Sequence, residues 1–187
     1  IWLPHHVNTE LFKDYGLSKS INKLLMGSVS PSIYPLRAKI LQTMKNKKDF
    51  VYHAHPGYRK FSKQEMQKLF IYENYAKEIN RAKMFFTCDS IYKYPVSKYY
   101  QVLACRTLLL APSSPELKDL GFIAGKHFVE INSTNFVEVS NYYSKNEKEC
   151  ERIAENGYKM VRLNHTTKIR AAQLLKSIHS ILETESI

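Results

Sequence analysis

The chain is poor in cysteine, in glycine and in acidic side chains, and each shortage removes a class of protein. Its three cysteines, Cys88, Cys105 and Cys150, are scattered, odd in number and never spaced as CxxC. That excludes a disulfide framework and a cysteine-based metal site, and it fits reduced thiols in a cytoplasmic setting. Only six glycines occur in 187 residues. None builds GxGxxG or GxxxxGK[ST], so the usual dinucleotide and P-loop signatures are missing. No Gx-Ser-xG elbow occurs either, which argues against an α/β-hydrolase. No apolar run approaches the roughly 18 residues a membrane span needs. The 17 acids against 28 lysines and arginines leave a net charge of +11.

Such a basic surface suits a phosphate-bearing small ligand, nucleic acid or an anionic membrane surface. Nucleic acid fits least, because aromatic RNP strands and a GxxG loop are absent. The densest basic cluster, Lys45 to Lys48, is a short solvated run. His53 and His55 alternate on one strand face, but no third ligand stands near them, so a metal site is not expected.

What the chain has is apolar patterning, with 44% hydrophobic residues in alternating strand-like and helix-like blocks. The opening residues, IWLPHHVNTE, read as the middle of a longer chain, and residues 1–20 as a lead-in to one domain over 21–187. INKLLMGSV predicts a first strand ending at Gly27. Pro35 suits the first turn of the next helix, whose stripe is Leu36, Ile40, Leu41 and Met44. DFVYHAH predicts a second strand running into His55-Pro56-Gly57-Tyr58. Ser62 and Glu65 have capping-box spacing, and the following helix is either continuous or broken by a loop at Ile71–Asn74. KMFFTCD predicts the third strand, SKYYQVLAC a helix, TLLLAP the fourth strand, PELKDLGF a short helix and HFVEI a fifth strand. Three helical blocks follow, with Gly157 expected at a turn or break. Strands separated by helices imply βαβ units, hence a Rossmann-like parallel α/β sheet with helices on both faces and a helical tail.

In such sheets ligands bind beyond the carboxyl ends of the strands. The residues there are Gly27 to Ser30 after the first strand, His55 to Tyr58 after the second, Asp89-Ser90 after the third and Ala111 to Ser114 after the fourth. Small and turn-forming, they let backbone N–H groups approach a phosphate.

The run YPVSKYYQVLACRTLLLAPSSPELKDLGFIAGKHFVEI, Tyr94 to Ile131, resembles the C-terminal domain of GT-B glycosyltransferases, of the CgeB-like and group 1-like kind. LLMGSVSPSIYPLRAKIL, INRAKMFFTCDS and ERIAENGYKMVRLNHTTKIRAAQLL resemble further segments in the same order. The resemblance implies one half of a GT-B fold that binds a nucleotide-diphosphate sugar and transfers the sugar, with retention of configuration, to a glycan, protein or lipid acceptor. It implies no cofactor, a partner N-terminal domain holding the acceptor and the unassigned catalytic groups, and a cytoplasmic enzyme, soluble or peripheral at a membrane. The fragment alone is expected to be inactive.

On the matching positions, Gln101 stands where the family carries a ribose-binding Glu, and Lys98 and Arg37 are candidates to neutralise the diphosphate. Gly27 and Ser28 would admit it. Tyr92 and Tyr94 would line the base or sugar pocket, with His55, Gly57, Tyr58 and Ser90 on the rim. Arg106 replaces a glycine, and its cation is expected to cap the helix C-terminus. Gln101 and Arg106 keep a second reading open, a binding or scaffold module that has lost catalysis.

Overall fold

Short runs of Leu, Met, Phe and Val, each closed by a turn, become the strands of one sheet. The computed structural model describes residues 2–184. The strands are β1 (Ile21–Met26), β2 (Phe50–His53), β3 (Ala82–Phe86), β4 (Leu108–Ala111) and β5 (Val129–Glu130). All four pairings are parallel, in the order β2-β1-β3-β4-β5. The helices between them are α1 (Pro35–Met44), α2 (Lys63–Lys68), α3 (Tyr72–Asn80), α4 (Lys98–Ala104) and α5 (Pro115–Asp119). After β5 come α6 (Phe136–Lys145), α7 (Glu147–Asn164) and α8 (Thr167–Thr184).

Because side chains alternate along a strand, the sheet builds two cores. Leu24, Met26, Phe85 and Leu109 face α3 and α4 in one. Leu25, Met84, Phe86 and Leu110 face α1 and α6 in the other. Helix α7 contributes to both, with Met160 and Val161 in the first and Ile153 in the second. Each fully buried side chain of this size contributes about 1.5–3 kcal/mol relative to exposure. The expected Rossmann-like sheet, covered on both faces, is therefore present.

Lys23 is the apparent misfit in β1, a lysine 2% exposed in a central strand. Its ammonium lies 2.7 Å from Asp49 Oδ2 and donates to Asn141 Oδ1 at 2.7 Å. Hydrogen bonding from Lys23 holds the Asp49 carboxyl below the usual range, so its share of stability exists at neutral pH and fades as acid protonates it. Asp49→Ala is expected to cost about 2 kcal/mol in urea unfolding, because it strands a buried cation. Adding Lys23→Met should recover most of that loss.

Two local expectations are corrected, and one open alternative is decided. Gly157 breaks nothing, because α7 runs through it. A Cβ there would stand 2.4 Å from the His127 carbonyl oxygen and 2.7 Å from Leu103 Cδ2, so the glycine permits close packing of α7 on its neighbours. Arg106 is left-handed at φ 53°, in the place where glycine ends a helix. Its guanidinium leaves the helix end alone and pairs with Asp14 at 3.1 Å and Glu155 at 2.6 Å. The block from 63 to 80 is split, since Leu69 and Ile71 turn extended between α2 and α3.

The lead-in is packed onto the domain. Val7 and Phe12 are in the core, and the Val7 N–H donates to the His165 oxygen at 2.9 Å while Thr167 N–H donates back to Val7 O at 3.0 Å. Beyond Arg170, helix α8 presents Leu174, Leu175, Ile178, Ile181 and Leu182 to solvent. No helix among the described residues is long and apolar enough to cross a membrane.

Candidate functional site

The chain passes from β1 to β2 on one side and then crosses to β3 on the other. The connections after β1 and β3 therefore diverge, which opens a crevice at their carboxyl ends. A cavity of about 740 Å³ lies along this edge of the sheet. It is bounded by Met26 and Gly27 at the end of β1, by the loop from His53 to Phe61 after β2, by the start of α3 and by the first turn of α4.

Gly27 has φ +106°, a conformation that L side chains rarely adopt, and a Cβ there would sit 3.2 Å from Lys98 Nζ. The bare backbone and the ammonium thus share one wall. Lys98 opens α4, and its Nζ is 5.6 Å from the Tyr75 ring centre. Burial, and then the charge of Arg37, push its pKa down to about 8. One turn on, Gln101 enters the same cavity, and its side-chain amide has no hydrogen-bond partner among the described residues. His55 accepts from Gly57 N–H at 3.0 Å and stacks on Tyr58 with ring centres 4.5 Å apart. Its pKa is lowered by burial and by the Lys98 charge, so a neutral imidazole faces the cation.

Arg37 lies outside the cavity lining, and its side chain is not solvated. It is 3% exposed, stacks over the Tyr34 ring at 3.9 Å, and donates to Cys88 O at 3.0 Å and Ser28 O at 3.4 Å. One guanidinium thereby ties the loop after β1 to the loop after β3 across the crevice. Among the described residues no carboxylate comes within ion-pair distance of Lys98 or Arg37. Two cations that act on one another without a salt-bridge partner, Asp89 reaching Arg37 only at longer range, form a local positive potential that an anion would relieve.

The structure brings Gly27, His55, Gly57, Tyr58, Lys98 and Gln101 together in the cavity. Ser28, next in the chain, is outside the lining, and its carbonyl accepts from Arg37. Ser90, Tyr92 and Tyr94 do not line it. Ser90 is left-handed at φ 69° and accepts from Tyr92 N–H, Tyr92 is 77% exposed, and the Tyr94 ring packs edge-on to His5 at 5.4 Å.

Sequence reasoning missed the far wall, where Phe61, Phe70, Tyr72 and Tyr75 gather with Arg59. Tyr72 is left-handed at φ 48° where α3 begins, a strained position for a bulky side chain. The Tyr75 hydroxyl is buried without a partner, and burial raises its pKa. The only signal in the sequence was the density of aromatics from 58 to 75. A cationic floor with aromatic sides suits a ligand that is planar at one end and anionic at the other.

The parallel sheet, its switch point and this cavity define the Rossmann-like half of a GT-B fold. The chain belongs to the glycosyl transferase-like family, which it matches over residues 37–176. Sucrose-phosphate synthase from Thermosynechococcus elongatus is similar in structure, with TM-score 0.72 and 14% identity over 97% of this chain and 52% of that one. HepE of Anabaena in complex with UDP-glucose gives TM-score 0.71 and 11% identity over 94% of this chain and 56% of that one. The C-terminal domain of the group 1 glycosyl transferase LpcC from Francisella tularensis gives 0.59 and 13% over 86% and 99%. At these identities the likeness is one of fold, and the chain spans about half the length of the first and second proteins. No curated protein sequence matches it.

Proposed function

We propose that the cavity binds the nucleotide diphosphate of a sugar donor, and that the chain is the donor half of a glycosyltransferase. The observation that carries this is the pair of cations without a salt-bridge partner, Lys98 and Arg37, beside the side-chain-free wall at Gly27. In this reading the diphosphate lies along Gly27 and Ser28 with Lys98 against it, and Arg37 fixes both loops around it. Gln101 offers one acceptor and two donors to the ribose hydroxyls, and the aromatic wall takes the base.

As the glycosidic bond to the donor phosphate breaks, negative charge grows on the diphosphate, and a preorganised cation stabilises that charge more than the ground state. Lys98 fills this role with no metal required. The acceptor and the groups that handle its proton belong to a second α/β domain. The exposed apolar residues of α8, and the match to about half of longer enzymes, favour such a domain. Retention of configuration and a cytoplasmic, soluble or membrane-peripheral setting complete the proposal, the first following the GT-B resemblance.

Calorimetric titration with UDP, GDP and a single-stranded oligonucleotide tests it. Saturable binding of UDP or GDP is expected, weakened about five- to tenfold in Gln101→Ala, the loss of about one net hydrogen bond. Silence toward both nucleotides would favour the second reading, a non-catalytic module, for which the amide at Gln101 speaks. Steeply salt-dependent oligonucleotide binding would instead point to nucleic acid.

A further inference from the structure

A second concave surface lies away from the donor cavity, between α5, α7 and α8. Two adjoining cavities of about 380 and 580 Å³ share Gly121, Leu163 and Asn164. Leu163, at the last turn of α7, is common to both and 74% exposed. An apolar side chain held out between two hollows is an anchor point for a complementary one.

The charges around it are mostly of one sign. Lys126 and Lys159 border the smaller hollow, and the larger one is lined by Arg170 with a single acid, exposed Asp119. Lys159 reaches Glu155 at 3.1 Å on the surface, a pair that contributes little. Arg170 is the decisive residue. It is 5% exposed and donates only to neutral acceptors, His5 O at 3.2 Å, His165 Nδ1 at 2.9 Å and the Gln173 side-chain oxygen. Its Nε is buried without a partner. Among the described residues no carboxylate pairs with it. A guanidinium withdrawn from water without a counter-ion is a costly arrangement, which a carboxylate arriving through the hollow would relieve.

We propose that this groove docks an acidic peptide segment carrying one apolar anchor, with a carboxylate directed toward Arg170, an aliphatic or aromatic side chain on Leu163 and further acids along Lys126 and Lys159. The surface is separate from the donor cavity and independent of what that cavity binds. Neither face is apolar enough to bind by burial alone, so the charges set which partner is accepted.

The test is an NMR titration of isotope-labelled protein with two pools of octapeptides. One pool carries Leu or Phe at the fourth position with Asp or Glu around it, and the other replaces the acids by Lys. The acidic pool is expected to shift the amide signals of Leu163, Asn164 and Gln173 saturably, leaving Gly27 and Lys98 unmoved. Affinity should fall at least tenfold in Leu163→Ser and in the double variant Lys126→Glu, Lys159→Glu. Both alter surface positions and retain UDP binding if the donor reading holds, and their folding is checked by their own spectra. The proposal is overturned if the acidic pool moves none of the three signals, if the lysine pool moves them equally, or if the variants bind as the parent does. Arg170→Gln is the less useful variant, since it removes part of the domain's own packing.

Discussion

Lys98→Met is expected to weaken UDP binding about a hundredfold at pH 7, because a partly desolvated cation against a diphosphate is worth on the order of 3 kcal/mol. The same lysine gives the wild type a pH signature. Its free-state pKa is about 8, and a bound anion raises it, so binding takes up a proton wherever the free amine is neutral. Affinity should be level from pH 7 to 8 as far as Lys98 governs it, then decline by up to tenfold per unit above. Of the neighbours that face the ammonium, Tyr75 remains neutral and His55 has lost its proton below this window. Titrations in buffers of different ionisation enthalpy read the proton uptake directly. Wild-type binding unchanged up to pH 9.5, or a Lys98→Met variant with the same slope, would remove Lys98 from the phosphate site.

The second large effect concerns stability. Gly157→Val is expected to destabilise the domain by about 3 kcal/mol or more in urea unfolding, despite the better helix propensity of most side chains over glycine. Its Cβ would meet the His127 backbone at 2.4 Å, an atom that cannot swing aside as a side-chain tip does. Relief requires α7 to move away from Leu103, and Leu103 is on α4, the helix that carries Lys98 and Gln101. A reduced UDP affinity should therefore accompany the lost stability, although Gly157 is remote from the cavity. A variant as stable as wild type would mean that α7 repacks at no cost.

These two residues also mark what the sequence conveyed and what it withheld. Strands such as LLLA and AKMFF are legible because apolar runs of that length, closed by turn residues, fit a sheet covered on both sides. Their parallel order follows from the helices between them. Lys98 and Gln101 stand out as candidates because the resemblance fixes their place in a continuous segment, and both line the cavity. Gly157 was misread because a glycine that breaks a helix and one that lets a neighbour approach look alike until the neighbour is known. Arg37 lies on an amphipathic helix, where solvent is the default, and only the fold reveals the two carbonyls it bridges. The aromatic wall joins residues from two loops and a helix that local spacing cannot bring together.

The bridge between Val7 and Thr166 has a consequence for how such a domain can be handled. The strand of chain leading in and the turn leading out to α8 lie side by side, hydrogen-bonded to one another. A unit bounded by Val7 and Thr166, with α8 left outside it, can be lifted out as a cassette and set into a loop of an unrelated host without stretching its core. For the same reason a short linker could join those ends, with new termini opened in the exposed loop at Gly57 and Tyr58. Such a circular permutant would keep all five strands in register while freeing one rim of the cavity to carry a reporter.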